Sequence, residues 1–122
     1  MPRVVHFEIA VDDPERATAF YHDAFGWTIE KWSGPMDYWL IMTGAESEPG
    51  INGALTRRAD APAPIVNTIA VPSVDAYQEK ITTAGGKVIS PKASIPGVGY
   101  FALCQDTEGN PFGIMESDMN AM

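Results

Sequence analysis

Two titratable side chains, His6 and Glu8, stand two residues apart near the start of this chain, inside the run V-V-H-F-E-I-A-V. Alternation puts them together: Val5, Phe7, Ile9 and Val11 fall on one face of a strand, and His6, Glu8 and Ala10 on the other. A carboxylate beside an imidazole raises the imidazole's pKa, and such a pair can bind or move a proton at an oxygen of a small molecule. The plainer alternative is a histidine and a carboxylate on the wet face of a half-buried strand, satisfied by each other or by water. The sequence offers no Ser-His-Asp order, phosphate-binding glycine loop, zinc-type cysteine spacing or dinucleotide fingerprint. Cys104 lies in a strand-like run without a basic neighbour, the setting of a buried, inert thiol.

The elements that must position His6 and Glu8 can be read from pattern. The strand Arg3 to Val11 is followed by Asp13-Pro14, a capping side chain and a proline at the first helical position, and Gly26 stops the helix. Its buried stripe should be Ala17, Phe20, Tyr21 and Ala24. Strands are expected at Trp27 to Trp32 and Asp37 to Thr43, with Ser33-Gly34-Pro35 as the turn between them, and at Ile51 to Arg57. The run R-A-D-A-P-A-P, from Arg58 to Pro64, reads as a linker or crossover. Then the order starts again: a strand at Ile65 to Val71 and a helix at Val74 to Ala84 capped by Ser73, with Val74, Tyr77 and Ile81 inward. A short strand at Lys87 to Ser90, a loop from Pro91 to Gly99, a strand at Tyr100 to Gln105 and a last strand after Pro111 complete it. Both halves read strand, helix, strand, strand, strand at a spacing of about sixty residues.

Composition sets outer limits. A chain of 122 residues, 45% hydrophobic and 20% charged, suits one domain over residues 1–122, built from repeats 3–57 and 64–117. The net charge of −8 speaks against a nucleic-acid or anionic-membrane surface, each of which favours a basic patch. No apolar run approaches the roughly 20 residues that span a bilayer, and the N-terminus leads into a strand without a secretory pattern, so a cytoplasmic location is expected. One cysteine cannot form an intramolecular disulfide.

The stretch D-T-E-G-N-P-F-G-I-M-E, Asp106 to Glu116, resembles the D-P-[DE]-G-N ending of the vicinal oxygen chelate superfamily, which holds glyoxalase I, extradiol dioxygenases and bleomycin-resistance proteins. The F-Y-x-x-x-F-G-W pattern from Phe20 to Trp27, the G-G-K-V turn and the P-G-V-G-Y-F segment are similar to it as well. The resemblance implies an α+β fold, two βαβββ modules forming a curved mixed sheet, with the helices outside and the ligand in a cup. It also implies four metal-ligand positions, which matching by short anchors places at His6, Gly53, Asn67 and Gly113. His6 is then the only family ligand retained, because glycine offers no donor and an amide is a poor one for softer ions. No cofactor is expected, with a divalent metal held by Glu8 or Glu116 as the alternative. The glycines would instead leave room for a ligand ring.

The function this implies is binding of a small apolar or aromatic molecule in the cup, by His6, Gly53, Asn67, Gly113, Tyr38, Trp39, Tyr100 and Phe101. Alternation separates Tyr38 and Leu40 from Trp39 and Ile41 without saying which pair faces inward. The rival is a lyase, isomerase or dioxygenase with His6 and Glu8 catalytic, by metal or by acid–base chemistry. A partner-binding module without a pocket is a third reading. Glyoxalase I activity does not fit the missing ligands, and a homodimer is expected to cover open sheet edges.

Overall fold

The computed structural model describes residues 1–34 and 36–122; Pro35, the last residue of the expected turn, lies outside the described residues. The elements run β1 (Arg3–Val11), α1 (Pro14–Phe25), β2 (Thr28–Lys31), β3 (Tyr38–Met42), β4 (Gly53–Arg57), β5 (Ile65–Ala70), α2 (Val74–Thr83), β6 (Lys87–Ile95), β7 (Gly99–Gln105) and β8 (Pro111–Ser117). The chain divides into two compact units, His6–Val66 and Met1–Val5 with Asn67–Met122.

In the first unit the strands lie in the order β2-β3-β4-β1. β1 and β4 are parallel, Phe7 opposite Gly53 and Ile9 opposite Leu55, while β3 is antiparallel to both β2 and β4. α1 starts as its sequence dictates: Asp13 Oδ1 accepts from Arg16 N at 3.1 Å, Pro14 occupies the first turn, and Gly26 closes the helix at φ 76°. Val11, Ile41 and Leu55 form the buried core, joined by Phe7, Ile9, Ala17, Tyr21, Trp27, Ile29 and Trp39. That list fixes the faces, because residues of α1 are in it: Phe7, Trp39, Ile41 and Leu55 point toward the helix.

Two residues of the expected helix stripe do not. Phe20 is 59% exposed and Ala24 is exposed too. Phe20 instead meets Tyr21 and Phe25 edge-on, at ring centroids 5.1 and 6.5 Å apart. The core takes only the narrower stripe of Pro14, Ala17 and Tyr21.

The second unit repeats the plan with the order β5-β8-β7-β6. β5 and β8 are parallel and β7 is antiparallel to β8 and β6. α2 begins at Ser73, whose hydroxyl accepts from Ala76 N at 3.1 Å. Its core is Val71, Val74, Ala102, Cys104 and Ile114, with Tyr77 and Ile81 packed against it as expected. The segment Pro91 to Ile95, expected as loop, is strand. β6 continues through it as the last strand in the order, with register shifts between Val88 and Ser90 and between Ser90 and Ala93. An edge strand with bulges tolerates the missing N–H of Pro91, which a sequence pattern reads as a break. The supposed linker carries a single 3-10 turn, Arg58–Asp60.

Candidate functional site

His6, Glu8 and Tyr38 come together on the face of the first unit's sheet that α1 does not cover. β1 turns Phe7, Ile9 and Val11 to the helix and so leaves His6 and Glu8 on the other side. β3 does the same with Trp39 and Ile41, leaving Tyr38 and Leu40 there. β4 lies between these strands, yet their long side chains meet across it. The β4 residues on this face are small: Ala54 sits opposite both Glu8 and Leu40, and Thr56 opposite Tyr38.

Tyr38 Oη stands 2.7 Å from His6 Nε2 and donates to Glu8 Oε2 at 2.8 Å, while His6 Nε2 and Glu8 Oε2 are 3.8 Å apart. The phenol is the hub of the cluster. The imidazole and phenol planes are inclined by only 13°, with centroids 6.2 Å apart. The His6 and Glu8 side chains are 26% and 25% exposed, so the cluster is sheltered without being closed to a ligand. Trp32 meets Tyr38 edge-on at 6.0 Å, and its indole lies over Gly34, where a Cβ would collide with it. Leu40 and Met42 add exposed apolar surface on the same face.

Burial pushes the His6 imidazole below its usual pKa, with Glu8 pulling the other way. That shift favours the neutral imidazole, a base or an acceptor, over the cation. Burial, then the Glu8 charge and the hydrogen bond to it, drive the Tyr38 phenol far above its ordinary value. Tyr38 thus keeps its proton and acts as a donor to Glu8.

The other residues singled out from the sequence divide by face. Trp39 is on the helix side, flanked by Lys31 Nζ at 5.7 Å and the Arg57 guanidinium at 5.3 Å from its ring. It does not share the surface of His6. Gly53 also faces the helix side, and the room its missing side chain leaves is filled by the Phe7 ring and carbonyl, not by a ligand. In the second unit, Asn67 alternates with Thr68 and so shares the face of Ile69, which packs toward α2. Tyr100 packs toward α2 as well, under Lys92 Nζ at 4.4 Å. Phe101 and Gly113 share the opposite face with Thr68, and the Phe101 ring occupies the space over Gly113.

A one-residue slip explains why Gly53 and Asn67 are not where anchors placed them. Asp13 and Ser73 cap equivalent helices, and Val11 and Val71 occupy equivalent core positions. His6 then corresponds to Val66, Glu8 to Thr68, and Ala54 to Gly113. Shifting a strand by one residue exchanges its faces.

The donors do not fit a metal centre. Val66, Ala54 and Gly113 provide none, and His6 Nε2 is engaged by Tyr38. Glu116, the other substitute, turns to the helix side, where its Oε1 accepts from Val74 N at 2.9 Å and caps α2. Among the described residues no group of three or more His, Cys, Asp or Glu is placed to hold a metal ion. Three cations that an anionic ligand could meet are already paired with carboxylates: Arg57 with Asp37, Arg58 with Asp12 and Lys92 with Asp75. Cys104 is buried, and burial raises its thiol pKa. No helix is long and apolar enough to cross a membrane among the described residues.

Comparison with known proteins agrees with this architecture. A curated relative named "Putative glyoxylase CFP32", from Mycobacterium bovis and Mycobacterium tuberculosis, is 30% identical over 116 residues, covering 89% of this chain. The chain spans 42% of that relative's length. Among solved structures, the hypothetical protein BH1468 from Bacillus halodurans superposes with a TM-score of 0.70 at 15% identity, covering 99% of this chain and 98% of that one. Methylmalonyl-CoA epimerase from Mycobacterium tuberculosis gives 0.68 at 14% identity, with 94% and 87% covered. At such identities the likeness is one of fold. The family model of the Glyoxalase/Bleomycin resistance protein/Dioxygenase superfamily matches residues 3–114, and the chain belongs to that superfamily, with its α+β fold of βαβββ modules in a mixed sheet.

Proposed function

We propose that this protein binds a small apolar or aromatic molecule, without a metal, on the sheet face that carries His6, Glu8 and Tyr38. The observation that carries the reading is the composition of that face: one connected polar cluster, His6–Tyr38–Glu8, bordered by Trp32, Leu40 and Met42. Apolar surface supplies affinity and a few fixed polar groups supply orientation, which is the usual division of labour in small-molecule sites. The superfamily's small-molecule-binding fold supports it.

A second reading has a specific observation behind it. A neutral imidazole, sheltered and hydrogen-bonded through a phenol to a carboxylate, is equipped for general-base catalysis, as in a lyase or isomerase. His6 would take a proton from the substrate, and Glu8, through Tyr38, would stabilise the imidazolium that results.

Thermal shift with uncharged aromatic compounds, alongside elemental analysis of untagged protein, tests the first reading. Stabilisation by at least one compound is expected, lost in a His6→Ala variant that still folds. One tightly bound metal per chain, with no aromatic compound protecting, would sink it. For the second reading, a turnover that survives His6→Ala removes His6 as the base.

A further inference from the structure

The hydrogen bonds around Tyr38 have a direction, and the direction constrains the ligand. A phenol has one proton. Tyr38 gives it to Glu8 Oε2 at 2.8 Å, so its oxygen is left only with lone pairs for His6 Nε2 at 2.7 Å. Nε2 must then carry the hydrogen. A neutral imidazole has one N–H, which leaves Nδ1 as a bare acceptor, and Nδ1 has no hydrogen-bond partner among the described residues.

We propose that Tyr38 is a positioning residue that holds His6 in the Nε2–H tautomer, and that Nδ1 thereby selects ligands able to donate a hydrogen bond, such as neutral phenols, enols or N–H heteroaromatics. This rests on the small-molecule reading given above and adds the chemical class. A carboxylate or an ether brings only acceptors to a lone pair, and a carboxylate also meets the charge of Glu8. Trp32 and Leu40 favour an aromatic body attached to the donor.

The tautomer is directly observable by long-range 1H–15N correlation spectra of 15N-labelled protein above pH 7. The chain has two histidines, and a His22→Gln variant assigns them. His6 is expected as Nε2–H in the free protein and as a tautomer mixture in Tyr38→Phe, whose ring keeps the contact with Trp32. In Glu8→Gln the amide can donate to Tyr38, freeing the phenolic proton for His6 Nε2 and moving the imidazole toward Nδ1–H. An Nδ1–H tautomer in the unaltered protein, or an unchanged one in both folded variants, overturns the positioning role.

Affinity for phenol against anisole tests the ligand class. One hydrogen bond predicts a preference for phenol of roughly 2- to 10-fold, falling toward one in Tyr38→Phe. Equal binding of the two overturns the class while leaving the small-molecule reading standing. If neither binds, both the class and the protic aromatic form of that reading fail, and the tautomer result alone decides the role of Tyr38.

Discussion

The face that carries His6, Glu8 and Tyr38 along β1 and β3 has a counterpart along β5 and β7, and the counterpart carries Val66, Thr68 and Phe101. The correspondence follows from the two helix caps and from cross-strand register: Tyr38 lies opposite Thr56 and Phe101 opposite Met115, one residue beyond Leu55 and Ile114 in their strands. Each replacement removes a charge or a proton donor at nearly constant framework. The helix-facing sides, by contrast, stay alike: Leu55 and Ile114 are both almost wholly buried. A repeated βαβββ module therefore fixes core and caps twice, while chemistry needs to be present only once.

The comparison predicts its largest effect in the core. Leu55→Ala and Ile114→Ala should each cost about 2–5 kcal/mol by loss of buried surface and creation of a cavity, and the two should agree within about 1 kcal/mol. Urea titration of both variants checks this. A much smaller cost in one would mean that its module packs less tightly and that the likeness of the two cores is superficial.

On the site face the expected effects are smaller and unequal. Glu8→Ala takes away the charged acceptor of the Tyr38 hydroxyl, leaves it only His6 Nε2 in the less favoured tautomer, and should cost about 1–2 kcal/mol. Replacing the whole cluster by the residues of the other module, His6→Val with Glu8→Thr and Tyr38→Phe, should cost less than Glu8→Ala alone, because no polar partner is stranded. Ligand protection should vanish in both. If the triple variant is the less stable of the two, the cluster holds the module together and is not an addition to a self-sufficient frame. Smaller still are the caps: Asp13→Ala and Ser73→Ala should each cost about 1 kcal/mol, and similarly, since each accepts one backbone N–H at 3.1 Å.

The frame was legible in the sequence because its signals are local. Asp13-Pro14, Gly26 and Ser73 announce helix ends by side-chain chemistry, and the alternation of Val5 to Val11 separates His6 and Glu8 from the core face without knowledge of any neighbour. What escaped depends on distant strands. Tyr38 could be named as an aromatic of the site, but its bonds to His6 and Glu8 arise because β4 lies between β3 and β1 and presents small residues there. Gly53 and Asn67 lie on the helix side for a different reason: matching Val4–His6 to Ile65–Asn67 by residue type sets the two halves one residue away from the offset that the caps Asp13 and Ser73 give, and one residue is the difference between two faces. Counting from the helix caps would have given the right register.

The smallest effect, and the one that isolates the cluster from everything the two modules share, is on pH dependence. The raised phenol of Tyr38 means that the folded chain keeps a proton that the unfolded chain releases above its ordinary pKa of about 10. Its contribution to stability is present below that pH and is lost as pH rises toward the raised value. The lowered imidazole of His6 works at the other edge. The unfolded chain takes up a proton as pH falls through about 6.5 before the folded chain does, so that contribution is present above 6.5 and drains away below it, through the depressed pKa. Val66 and Phe101 in the counterpart face cannot titrate, so the double variant His6→Val with Tyr38→Phe, which takes their residue types and keeps Glu8, should show flatter flanks at both ends. Denaturant midpoints measured at pH 5, 8 and 10.5 for the two proteins give the difference free of all other groups. It should not exceed about 1.4 kcal/mol per pH unit at either edge, the limit for one proton, and solvent reaching the partly exposed cluster reduces it further. Parallel profiles would show that His6 and Tyr38 titrate alike in folded and unfolded chains, and the cluster would then be a solvated surface patch.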